Sequence, residues 1–217
     1  MTIARRVGLI VAAAAAISLQ WVGGPEFRSF VRDLAGHPAR QGPWLFGEHL
    51  LVQTTLMAAV CWLVWAIAVR LGALPPIRES LHLREPRTIA LWAAIASALI
   101  IALVCGVVAA SGQAFAPHRP DGWGVLGNVF SNFYEDFIFS GFLFVVLRQV
   151  TGKSWVAVVG VALLFAEVHT QYPLELRASI FASTLIMGVA RVRTGTIWTV
   201  WLVHMVSDIV LDALLPI

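Results

Sequence analysis

The chain is 217 residues long, 59% hydrophobic and only 12% charged, with a formal net charge of +3. Soluble domains carry about a quarter charged residues, so this composition excludes an ordinary soluble enzyme and points to a polytopic membrane protein. The basic residues are spread over short loops rather than gathered in one patch, which leaves a nucleic-acid-binding role without support.

Residues 7–22 follow Arg5 and Arg6, the outline of a secretory signal as much as of a short first span. The run ends in Gln20, Trp21 and Val22 without a small-residue cleavage site beyond it, which favours a retained helix. Residues 23–48 read as a loop rich in Gly, Pro and charge, with a short interfacial helix around Phe27 to Leu34. A second span is expected over 50–70, then a basic loop with Arg78, Arg84 and Arg87, and a third span over 88–110. A Gly/Pro/His loop leads to a fourth span over 127–149. Gly152 breaks the chain before a fifth over 154–170, a sixth over 177–191 and a seventh over 196–214. Each approaches the roughly 20 residues a helix needs to cross hydrocarbon, although the first, fifth and sixth are short. The fold class is therefore an all-α membrane helix bundle of about seven transmembrane helices. It divides into an N-terminal region, 1–126, and a four-helix core, 127–217.

With the N-terminus inside, ten of the 15 Lys and Arg residues fall on the inner side and five on the outer, a bias that favours a cytoplasmic N-terminus. Trp21, Trp44, Trp155, Tyr172 and Trp198 lie near span ends, as interfacial aromatics do. Cys61 and Cys105 sit inside apolar runs with no CxxC spacing and read as buried apolar residues.

The chemistry concentrates in residues 131–141, SNFYEDFIFSG, which put Glu135 and Asp136 inside a segment otherwise fit to cross a membrane. An ionised acid in hydrocarbon costs about 3 kcal/mol even on insertion scales, so it is tolerated mainly in a paired or water-filled site. On a helix Glu135 shares a face with Ser131, Ile138 and Phe139, whereas Asp136 shares one with Asn132 and Ser140. Two later segments could complete a hydrolytic site. In one, His169 follows Phe165 by one turn; in the other, His204 and Asp208 lie four apart on one face, with Ser207 beside them. Glu167 points roughly opposite to His169 and is left out as an interfacial carboxylate near Arg177 or water. Asp212, close to the C-terminus, reads as exposed at the outer surface.

A single membrane-helix His can be no more than a helix-to-helix hydrogen bond, and an acid pair alone can be an ion or proton relay. Two His with acids on three helices point instead to one shared polar site. Two His and two carboxylates also satisfy the usual zinc set, although there is no HExxH.

In order and approximate spacing, these three segments resemble the motifs of the CPBP family of intramembrane endopeptidases. That family includes the Ras-converting type of CAAX prenyl protease and bacterial bacteriocin-processing or immunity-associated relatives. Its motifs are Glu-Glu-x-x-x-Arg, Phe-x-x-x-His and His-x-x-x-Asn/Asp. The counterparts here begin at Glu135, Phe165 and His204, supported by Gly141 and by the run from Arg193 to Trp198. The resemblance covers residues 130–210. Two positions depart from it: the second Glu is Asp136 and the motif Arg is Ser140. These are four apart, so a small hydrogen-bonded pair is expected where the family has an ion pair, and a positive charge is lost from the site.

The resemblance implies a glutamic-type protease. Glu135 would be the general base for a water held between it and His169, and His204 would stabilise the oxyanion. Asp208 would orient that ring or donate alongside it, with Asp136, Asn132 and Ser140 in support. It implies no cofactor, with zinc as the rival mechanism. The partners are the lipid bilayer and a membrane-anchored or lipidated protein or peptide substrate. The expected location is a bacterial inner membrane. The alternatives are a non-catalytic adaptor or immunity-type protein and a proton-coupled transporter; the lack of an inverted repeat argues against transport.

Overall fold

The structure, a computed structural model, describes residues 2–18, 58–112, 114–120, 122–170 and 172–215. Among these it holds seven helices and no strand. They are α1 (Ile3–Ser18), α2 (Ala58–Arg70), α3 (Pro86–Ala110), α4 (Gly122–Thr151), α5 (Ser154–Val168), α6 (Leu174–Thr194) and α7 (Ile197–Leu214). Each overlaps one of the expected helical segments. The expected loop and interfacial helix over 23–48, the first part of the second span, and Trp21 and Trp44 lie outside the described residues.

By length and composition α3, α4 and α7 suffice to cross a membrane, and α2 and α5 are shorter apolar helices. The side chains are distributed as lipid demands. Trp62, Leu91, Leu99 and Leu163 are more than half exposed, while Ser183, Thr184, Arg191 and Thr199 are buried inside the bundle. Water would favour the reverse arrangement; hydrocarbon outside favours polar contacts between helices. The chain is a helical membrane protein.

The helix ends follow from local chemistry. Pro86 opens α3 at its first turn, where a missing N–H costs nothing. The α4–α5 and α6–α7 corners turn on Gly152 and Gly195, each at φ +72° in the left-handed region that a Cβ disfavours. Their N–H groups bond back to the carbonyls of Arg148 and Arg191. Thr196 caps α7, its hydroxyl accepting from the Trp198 N–H at 3.5 Å.

The most extensive packing joins α5 to α6 and places α3 across α6 and α7. At Gly188 α6 approaches α5 closely: a Cβ there would lie 2.6 Å from Val158 Cγ1. Helix α1 lays Leu9 and Ala13 into the same cluster as Trp65, Phe142 and Val146. Between α2 and α3, the turn carrying Ser80 and Leu81 docks on the α6–α7 corner. There the Ser80 carbonyl accepts from the Ile197 N–H (2.9 Å) and the Thr196 hydroxyl (3.1 Å).

Two expectations change. Arg191, counted with the cations of the inner side at the end of the sixth span, lies inside α6 and is only 5% exposed, because α6 continues to Thr194 and turns that face inward. In addition, α4 is not uniform, since Phe137–Leu143 forms a π-helical segment within it.

Candidate active site

The site forms where α4 and α7 run antiparallel. Asn132 and Asp136 share one face of α4, His204 and Asp208 share one face of α7, and the two faces meet in register. The Asn132 amide donates to Asp208 Oδ2 at 2.9 Å. One turn further along, His204 Nδ1 lies 3.3 Å from Asp136 Oδ2. The result is a ladder of two polar rungs inside an apolar bundle. Its inner rung is the drier, with Asp136 2% exposed. The other His204 nitrogen, Nε2, is 3.6 Å from Asp208 Oδ2, too long for a hydrogen bond. That nitrogen remains able to serve a different acceptor.

Glu135, one position earlier, is turned by about 100° from Asp136. It is half-buried and makes no hydrogen bond among the described residues. It nevertheless lies within electrostatic reach of His204, Asp208 and Asp136. The adjacent acids thus have different surroundings, one locked against a histidine and the other free to meet a substrate.

His169 comes from the end of α5. As the C-cap residue it follows the last helical turn, where carbonyls lack intrahelical donors. Its Nδ1 lies 2.6 Å from the Phe165 carbonyl. A carbonyl only accepts, so Nδ1 carries the proton, and in the neutral ring Nε2 presents a lone pair. Phe165 bridges the halves of the site. Its ring is 4.7 Å from the His169 ring, 5.9 Å from His204 and edge-on to Phe139 of α4 at 5.0 Å. The one-turn spacing of Phe165 and His169 therefore does packing work as well as placing the imidazole.

The structure brings Glu135, Asp136, Asn132, His204 and Asp208 together, with His169 joined through Phe165. It places Glu167 elsewhere, in an ion pair with Arg177 at 2.6 Å, and leaves Asp212 half-buried. The expected Asp136–Ser140 hydrogen bond does not form. Asp136 turns to His204 instead, and the π-helical segment beginning at Phe137 breaks the one-turn register that would have paired it with Ser140. Ser140 meets its neighbours through its backbone, whose carbonyl accepts from Arg191 Nε at 3.1 Å. Sequence reasoning passed over Arg191 and also Tyr172, whose ring stacks on His169 at 6.1 Å between centroids. Four residues before Gly195, Arg191 is still within the helix that this glycine closes, and that spacing was the available signal. Among the described residues, no group of three or more His, Cys, Asp or Glu side chains is arranged to hold a metal ion.

A helical membrane bundle with carboxylates and imidazoles facing one another at its centre defines the class: a membrane protein with an intramembrane polar site. Residues 121–210 match the Rce1-like family, described as Type II CAAX prenyl endopeptidase Rce1-like. All three motifs lie within that match, which supports a relationship of this region to the CPBP/CAAX protease family, a family of membrane proteases. No curated protein and no solved structure matches the chain.

Proposed function

We propose that the protein is an intramembrane endopeptidase that hydrolyses a peptide bond of a membrane-anchored or lipidated protein, with the chemistry carried by the four-helix region 127–217. The observation that carries this reading is the α4–α7 ladder, which holds His204 between two carboxylates and leaves Glu135 uncommitted beside it.

In this mechanism a Glu135 oxygen takes a proton from water, and the water oxygen bonds to the scissile carbonyl carbon. His169 Nε2, with its lone pair presented because Nδ1 donates to Phe165, accepts the second water hydrogen and fixes its orientation. The carbonyl π electrons move to oxygen, and the resulting oxyanion accepts a hydrogen bond from His204 Nε2–H. Collapse breaks the C–N bond, and the proton held by Glu135 passes to the departing amine. Asp208, held by Asn132, keeps the imidazole in plane; Asp136 holds the opposite ring nitrogen. Positive-inside loops favour a bacterial plasma membrane with the N-terminus in the cytoplasm.

The test compares processed protein termini by mass spectrometry in cells carrying the wild-type chain or Glu135→Gln at equal abundance. Defined termini that vanish with the variant support the protease reading and identify the substrates. If no terminus changes while the variant still rescues a deletion phenotype, the function is non-catalytic. Activity that a chelator abolishes and zinc restores would replace the glutamate-and-water mechanism with a metal-assisted one.

A further inference from the structure

Arg191 is a buried cation without a counter-charge. Among the described residues no carboxylate lies within ion-pair distance, and the charged group it senses is another cation, Arg148. An uncompensated charge inside a bundle costs several kcal/mol and persists where other contacts hold it. Three contacts do so here. Arg191 Nε donates to the Ser140 carbonyl at 3.1 Å, Nη2 donates to Ser80 Oγ at 3.0 Å, and the guanidinium lies over the Phe144 ring at 5.1 Å from its centroid.

The two hydrogen bonds reach different parts of the scaffold. Ser140 lies within the π-helical segment Phe137–Leu143, where the change of hydrogen-bond register leaves backbone groups to be satisfied from outside the helix. Ser80 also receives the Ile197 N–H and the Thr196 hydroxyl through its carbonyl, so it anchors the start of α7. Arg191 therefore ties together the segment that directly follows Glu135 and Asp136 and the end of the helix that carries His204.

We propose that Arg191 is a positioning residue. By clamping the π-helical segment of α4 to Ser80, the turn residue that anchors the start of α7, it fixes the rotation that sets Asp136 against His204 and turns Glu135 toward the scissile bond. The inference rests on the protease reading for its kinetic consequence, but the clamp itself can be measured without activity.

The experiment uses the full chain in lipid nanodiscs, with Arg191→Met, Arg191→Lys and Ser80→Ala, each compared with Glu135→Gln. Amide hydrogen exchange is read over Phe137–Leu143 and over α3. Arg191→Met is expected to speed exchange in the π-helical segment and leave α3 protected. It should lower kcat about 100-fold with KM unchanged, the loss expected for a displacement on the order of 1 Å at reacting groups. Lys can bond one partner but not span both, so it should restore part of kcat. Ser80→Ala keeps the guanidinium and serves if the Met variant does not fold; it should give a smaller change in the same direction. Unchanged exchange over Phe137–Leu143 would overturn the clamp, as would activity losses that merely track the folded fraction. If no cleavage that Glu135→Gln abolishes is found, the protease reading fails, and the exchange measurement still decides the clamp.

Discussion

Replacing Gly188 by Ala adds a single methyl group at the α5–α6 contact, and the structure states what it meets. The new Cβ would lie 2.6, 3.1 and 3.3 Å from Val158 Cγ1, Cγ2 and Cβ, against about 3.5–4.0 Å for relaxed carbon contacts. Val158 cannot swing aside, because a helical valine has one strongly preferred rotamer. Overpacking of this kind costs up to about 3 kcal/mol, offset by about 1 kcal/mol from replacing Gly with Ala in a helix. The net loss is about 2 kcal/mol, roughly 30-fold in the folded-to-unfolded ratio.

The assay is reversible unfolding in mixed micelles, run as a double-mutant cycle with Val158→Ala. Removing the valine methyls leaves only the Val158 Cβ contact at 3.3 Å, so in that background Gly188→Ala should become near neutral. Gly160→Ala is the control: its Cβ meets only the flexible end of Leu147, at 2.9 Å, and it should not destabilise. An equal loss from Gly188→Ala in both backgrounds would refute the reasoning. Because α5 carries His169 at its far end, the single variant should also lose more activity than folded protein.

Asn132→Leu keeps the side-chain volume but removes the donor to Asp208; kcat should fall about tenfold with the fold unchanged by circular dichroism, the worth of a hydrogen bond to a charged group. Glu167→Gln breaks an ion pair whose carboxylate is 67% exposed, so stability should change by less than about 1 kcal/mol and proteolysis not at all. Gly195→Ala forces a Cβ into the left-handed region, 3.2 Å from His82 Nε2. It should destabilise by about 1–2 kcal/mol, seen as a lower melting temperature.

Much of this was legible from short-range spacing. Helical period placed Asn132 with Asp136 and His204 with Asp208, and put Glu167 on the face away from His169; the observed contacts follow that geometry. Where the reading of side chains failed, it failed at Ser140 and Arg191. The first failure assumed an unbroken α-helix, and a π-helical segment is set by packing that no local pattern encodes. The second counted Arg191 with the cations at the inner side of the membrane, since a charge inside the bundle is costly. That cost is met here by a carbonyl of α4 and a hydroxyl from a turn 111 positions away in sequence.

The amino-acid sequence by itself determined the membrane class, the order of the helices among the described residues, and which polar residues share a helix face. These depend on composition and on a 3.6-residue period, both local properties. Only the tertiary structure decided which faces meet, that Asp136 opposes His204 rather than Ser140, and that Arg191 belongs to the interior. Those outcomes arise from antiparallel register and from long-range partners, which become neighbours only when the bundle closes and excludes lipid and water.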